Sequence, residues 1–381
     1  MHFYFVHPQI HPVKYCSAVI SLIKAKSFNK VKLTKELSEY YPGKRFIFTD
    51  MGRSAFKLII EKMGLQDSEI LMPAYICDIF QPILEHYKIR PIFLDIDLET
   101  FQIRAEDIQK KITPNTKAVL VCHTYGLSAD MQAIRQAVAG RAVIIEDCAN
   151  SFFAKSGETY TGNFGDVSFF SLYKQFPALR GGMVVCPESW QAELPKTRFN
   201  FRDFISFLNY FPLFAAFFKK FGSEVAVRIP RKEKMERPAG INSASLGLFL
   251  SFFKETKKTL EHRKKLALSL QEKLKELGFE VQESKGNVFC YLSAIVPENL
   301  TDKRDKIVER LRKHGVFCTR IWHTPIILNK EIQEEYEFNF KDFPNTIEAA
   351  KRVINFPLQN HYNEKDIDRI ADALKKVMLT L

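Results

Sequence analysis

Lys174 lies in the run Phe169-Phe170-Ser171-Leu172-Tyr173-Lys174-Gln175-Phe176-Pro177-Ala178-Leu179-Arg180-Gly181-Gly182, downstream of the acid pair Glu146-Asp147. A lysine amine can hold a carbonyl as a Schiff base, and a carboxylate beside a buried cation has its ionised form favoured. Further upstream, Gly52-Arg53-Ser54-Ala55 precedes the helical pattern Phe56-Lys57-Leu58-Ile59-Ile60. Exposed backbone N–H groups and the positive end of a helix there suit a phosphate. Each feature also has a plainer reading. Asp147 could cap the next helix, Gly-x-Ser before a helix is an ordinary N-cap, and a lone lysine before Gly-Gly means little.

The elements that must position these residues are legible as alternation. Phe93-Leu94-Asp95-Ile96-Asp97, Lys117 to Gly126 and Ala142 to Asp147 are short β-branched runs that end in polar residues or glycine. Buried parallel strands read this way when a ligand site lies at their carboxyl ends. Ala105 to Ile112 and Ser128 to Val138 have amphipathic helical spacing between them, so the pattern is βαβ. With 46% hydrophobic and 26% charged residues in 381, the chain is globular and long enough for a large core plus a second lobe.

In chain order, Met51-Gly52-Arg53-Ser54-Ala55, Met72-Pro73-Ala74-Tyr75, Asp95-Ile96-Asp97, His123-Thr124-Tyr125-Gly126, Glu146-Asp147-Cys148-Ala149-Asn150, Gly162-Asn163-Phe164-Gly165-Asp166 and Phe170-Ser171 with Lys174 are seven ordered motifs. Together they resemble the sugar aminotransferases of the DegT/StrS family, which are fold-type-I pyridoxal phosphate enzymes. The resemblance runs from about Phe46 to Cys186 and resumes at Gly315 to Arg320 and Asn355-Phe356-Pro357-Leu358.

The resemblance implies an α/β fold. A large, mostly parallel sheet domain (1–245) would bind pyridoxal 5'-phosphate and include a Phe-rich basic segment (198–237), with a smaller C-terminal α/β lobe (246–381). Lys174 would carry the Schiff base and move protons, and Asp147 would pair with the protonated pyridine nitrogen. Gly52, Arg53, Ser54 and Ser171 would form the phosphate cup. Asn150 stands where the family usually has Gln, near the ring hydroxyl. Cys77 stands where relatives place a stacking aromatic, so either Tyr75 turns in to stack or the thiol packs on the ring. Asn242, after the Gly240 turn, is where relatives often present a phosphate contact to a neighbouring chain. Arg320, Trp322 and His323 in the small lobe are the substrate-binding candidates.

Seven scattered cysteines show neither a disulfide framework nor metal spacing, and the nine histidines form no His-x-x-x-His pair, so no metal is expected. The start, Met1 to Pro8, lacks a basic head followed by an apolar stretch, and no run reaches the ~20 apolar residues that span a bilayer. A cytoplasmic setting is the expectation. Phe204, Phe207, Phe211, Phe214, Phe218 and Phe221 recur at three and four residues, with Pro212 starting a second helix, and Lys196 to Arg237 holds ten basic against four acidic residues. This stripe reads as core or dimer contact, or as an interfacial helix that brings the protein to the inner membrane face. The formal charge of +12 comes with no nucleic-acid module and fits anionic substrates better.

The expected function is amination of a keto-sugar on a nucleotide or phosphate-linked carrier, with glutamate as donor, in a homodimer. A dehydratase of the same fold is the rival reaction, although relatives of that type replace the Schiff-base lysine with histidine. A non-catalytic protein that kept the fold is the reading from another class, raised by the departures at Arg53, Cys77 and Asn150.

Overall fold

In the computed structural model, residues 3–4, 8–10, 12–23, 30–208, 210–211 and 237–381 are described. Seven strands form the central sheet: β1 (Lys44–Thr49), β2 (Glu69–Pro73), β3 (Arg90–Leu94), β4 (Thr116–Cys122), β5 (Val143–Asp147), β6 (Val167–Ser171) and β7 (Gly182–Pro187). Their spatial order is β1-β7-β6-β5-β4-β2-β3. All neighbours are parallel except β7, which runs antiparallel to both β1 and β6. β2 and β6 are buried along their whole length, as a sheet covered on both faces requires.

Helix α1 (Tyr15–Ile23) precedes the sheet, and α2 (Gly52–Met63) follows β1 directly. The expected crossovers are α3 (Ala105–Lys111) and α4 (Met131–Val138). The second starts three residues later than its apolar spacing suggested, because the Asp130 side chain accepts the Ala133 N–H at 3.1 Å and sets the cap there. α5 (Phe201–Leu208), α6 (Ser243–Lys258) and α7 (Leu260–Glu276) follow. The expected division at 245/246 falls within α6, whose Leu246, Phe249 and Phe253 pack in a core with Phe152, Phe170 and Phe176 of the sheet domain.

A second core forms where α7, α8 (Arg304–Lys313) and α9 (Glu364–Met378) cover β8 (Glu280–Val281), β9 (Leu292–Ile295) and β10 (Val353–Phe356). α9 opens on a reciprocal cap between Asn363 and Asp366. Buried Asp95, just past β3, joins the two parts. It accepts the Asn345 and Thr346 N–H groups and the Thr346 hydroxyl at 2.7 to 3.0 Å, which caps helix Pro344–Arg352 of the small sheet.

The turn between β1 and α2 is held by close approach to β7. A Cβ on Gly182 would stand 2.4 Å from the Met51 carbonyl oxygen and 2.5 Å from the Thr49 hydroxyl, so no side chain fits. Gly182→Ala is therefore expected to cost about 2–3 kcal/mol in a denaturant melt. It should also displace the Met51-Gly52 backbone; a variant with wild-type stability would show that the turn can yield.

Candidate active site

The carboxyl ends of β2, β4, β5 and β6 meet the amino end of α2 at one edge of the sheet, where a doubly wound sheet places its ligand. A cavity there is lined by Met51, Gly52, Arg53, Cys77, Ile79, Phe80, Asp147, Ala149, Phe169, Ser171, Tyr173, Lys174 and Trp322. Residues expected from four separate motifs thus share one wall. Tyr75, Ser54, Asn150, Asn242, Arg320 and His323 are not on it.

At one end of the cavity, the N-cap of α2 is Met51, which offers no side-chain cap to the first N–H groups of the helix. A Cβ on Gly52 would sit 3.2 Å from the Ser171 Cβ, so the helix end and the serine are adjacent. Buried Ser54 lies inside the first turn, while Arg53 reaches the cavity wall.

Asp147 ends β5, fully enclosed, and accepts the Ala149 N–H at 2.9 Å. Burial pushes its carboxyl above the usual carboxylate range, partly offset by the Lys174 ammonium and that N–H. Lys174 sits on a 3-10 turn directly after β6. Burial disfavours its ammonium, but Tyr173 and then Asp147 outweigh burial and hold the amine above the free-lysine value. Gln175 clamps this turn to the loop after Asp147: its Oε1 accepts the Phe152 N–H at 2.7 Å and its Nε2 donates to the Phe152 carbonyl.

Side chains alternate along a strand, so Glu146 faces away from Asp147. Its buried carboxylate accepts from the Gly162, Phe164 and Gly165 N–H groups and from His123 Nε2 at 2.9 Å. His123 Nδ1 accepts the Ala129 N–H, so the ring proton sits on Nε2. His123, Glu146 and Cys148 are near enough together to invite a metal ion, but these bonds commit both imidazole nitrogens and the carboxylate. The Glu146 hub and the Gln175 clamp were not singled out from sequence. Nothing marks a strand glutamate or a post-lysine glutamine until the loops it holds are in place.

The small lobe supplies the cover. Trp322 is held at φ +57° and stacks on Tyr125 at 5.5 Å and 24°, with Tyr75 edge-on at 5.5 Å. The Tyr75 and Tyr125 hydroxyls lie 2.7 Å apart, and Tyr125 donates to the Ile321 carbonyl. Tyr75 is therefore committed behind Trp322 while Cys77 lines the cavity. Asn355 fixes the segment before Trp322 by accepting the Ile321 N–H at 2.6 Å. Arg320 is ion-paired to Asp305 at 2.6 Å, and exposed His323 bonds back to the Arg320 carbonyl. Desolvation and then the nearby arginines lower the His323 pKa, with the carbonyl bond opposing them.

Asn150 is buried beside Cys290, whose thiol lies 3.7 Å from its Oδ1. Asn242 caps α6 through the Ser245 N–H at 2.8 Å and donates to Asp203, itself paired with Arg180. Within this chain it is a buried helix cap.

The cavity fits a planar ring that bears a phosphate and a protonated nitrogen. Asp147 is a buried carboxylate, the helix end beside Ser171 has no side-chain cap and so offers N–H groups of the kind that suit an anion, and Lys174 has an amine on the same wall.

The family model for the DegT/DnrJ/EryC1/StrS aminotransferase family matches residues 22–375. GDP-perosamine synthase of Escherichia coli O157:H7 is 37% identical over 140 residues, which span 35% of this chain and 38% of that protein. GDP-perosamine synthase of Caulobacter vibrioides is 23% identical over 361 residues, or 92% and 90% of the two chains. Among solved structures, the PLP form of the putative sugar aminotransferase Spr1654 from Streptococcus pneumoniae superposes with a TM-score of 0.79 at 17% identity, covering 100% of this chain and 99% of that one.

Glu146→Ala would leave four donors, three of them buried, without this acceptor. It is expected to cost about 3–5 kcal/mol in a denaturant melt of the cofactor-free protein, with Glu146→Gln recovering part of the loss. Equal stability of wild type and Glu146→Ala would remove the carboxylate from its structural role.

Proposed function

The chain belongs to the DegT/DnrJ/EryC1/StrS aminotransferase family, and on that premise we propose that it aminates a keto-sugar carried on a nucleotide. The observation that supports this reading is the convergence of Asp147, Lys174 and the α2 amino end on one cavity. Pyridoxal 5'-phosphate, when bound, would supply an electron sink and the carbonyl that carries the amino group between two substrates.

Gly52 and Ser171 would hold its phosphate, and Asp147 would keep a proton on its ring nitrogen. Cys77 fills the place of an aromatic as a small soft wall. Pairing Asp147 with another cation removes its hold on Lys174, so the amine loses part of what keeps it protonated. Lys174 can then take a proton from one substrate carbon and return it to another. Trp322 and the apolar Ile79, Phe80 and Phe169 keep water from that exchange.

Glutamate as amino donor and a homodimer complete the reading. A lysine at position 174 favours transamination over sugar dehydration.

Lys174→Ala is expected to fold and to lose the visible absorbance of the bound cofactor. Borohydride reduction of wild type followed by peptide mapping should find the cofactor on Lys174; a label on another lysine would refute the assignment. Asp147→Asn should keep most cofactor affinity and lose turnover by about 100-fold or more, since a lost charge partner in a dry site costs several kcal/mol. Near-wild-type turnover would count against a ring-nitrogen role.

A further inference from the structure

The chain is rich in aromatic side chains, but few of them stand where a ligand could meet them. Of the Phe204 to Phe221 stripe, Phe207 is buried in a cluster with Leu248 and Phe252, Phe204 is exposed, and Pro212, Phe214, Phe218 and Phe221 lie outside the described residues. Four other rings border the cavity: Phe80, Phe169, Tyr173 and Trp322. Phe80 and Phe169 are core residues that pack on Phe56 at 5.1 and 5.5 Å. Tyr173 sits on the same turn as Lys174. Trp322 is the ring that the small lobe brings.

Its place is set by the chain on both sides of it. Just before it, Asn355 accepts the Ile321 N–H at 2.6 Å. Four residues after it, the Ile326 N–H donates to the Ile76 carbonyl at 2.9 Å, and Ile326 and Ile327 are buried in one core with Ile76 and Phe80. The segment from Trp322 to Leu328 is thus fastened against the stretch Ile76 to Phe80, which contains Cys77. Cys77 and Trp322 both line the cavity, one with a short thiol and the other with an indole.

A bulky residue in the left-handed backbone region is an outlier whose cost the surroundings must meet. Filling a gap needs no such backbone. Trp322 and Tyr125 are both left-handed, at φ +57° and +61°, and Tyr125 stacks on the indole, so two strained residues present one ring to the cavity. Indole is also the aromatic side chain with the strongest pull on a cation. The ring it would meet is cationic, because Asp147 would keep a proton on the ring nitrogen.

Resting on the reading that the cavity takes pyridoxal 5'-phosphate, we propose that the cavity side of the Trp322 indole packs on the protonated cofactor ring and takes the part of the aromatic that position 77 lacks. Trp322 belongs to the small lobe. Cofactor occupancy and the docking of the segment from Thr319 to Leu328 therefore favour one another by the same factor.

Cofactor-free enzyme is to be titrated with pyridoxal 5'-phosphate in the absence of substrate, following the visible absorbance of the bound cofactor. Trp322→Phe is expected to bind within about threefold of wild type, and Trp322→Leu, which keeps apolar bulk but no ring, at least about tenfold more weakly. Cys77→Phe added to Trp322→Leu should recover most of the loss. In wild type, with no variant needed, hydrogen exchange at the Ile321 and Ile326 amides should slow by at least about fivefold when the cofactor binds. The contact is overturned if Trp322→Leu binds as tightly as wild type, or if the cofactor leaves both amides unchanged. It is equally overturned if Tyr173→Leu loses the affinity and Trp322→Leu keeps it. Wild type that shows no visible absorbance with the cofactor would refute the cofactor reading, and the contact with it.

Discussion

The carboxylate of Glu146 is the fixed point of the site. Four N–H donors converge on one buried anion, three of them from the Gly162 to Gly165 loop and one from His123. A buried charge is tolerable only when its lone pairs are met this fully. Because side chains alternate along β5, anchoring Glu146 on one face points Asp147 into the cavity on the other. The same loop leads into β6 and so into the turn that carries Lys174. One satisfied anion thus helps to place both Asp147 and Lys174 on the cavity wall.

Asp147 and Lys174 are held differently. Burial opposes the charge on both, and each offsets part of the other's cost. A cation brought to Asp147 would weaken one of the interactions that favour the Lys174 ammonium. Gln175 ties the loop after Asp147 to the turn that carries Lys174 through the Phe152 backbone. Water in the cavity would screen the pair and weaken the coupling.

Cover for the pocket comes from the other lobe at a conformational cost. Trp322 adopts a left-handed backbone, as does Tyr125 beneath it. Positions of this kind persist only when their surroundings over-determine them. Here ring stacking, the Tyr75–Tyr125 hydroxyl pair and the Asn355 bond do so. Arg320, by contrast, is committed to Asp305 outside the cavity wall.

The sequence by itself determined the α/β class, the alternation of strands and helices and the order Gly52, Cys77, Asp147, Ser171, Lys174. These follow from local rules: apolar runs of strand length, glycine where backbones touch, and a chain order that the family resemblance shares. Only the tertiary structure decided which of Tyr75 and Cys77 faces the cavity, because both follow β2 and the choice rests on Tyr125, 50 residues away. It likewise decided that Asn242 is a cap bound to Asp203 and that Phe207 turns inward while Phe204 turns out. Side-chain direction in a turn, and which face of an amphipathic helix finds a partner, depend on contacts between distant segments. Local spacing carries no record of them.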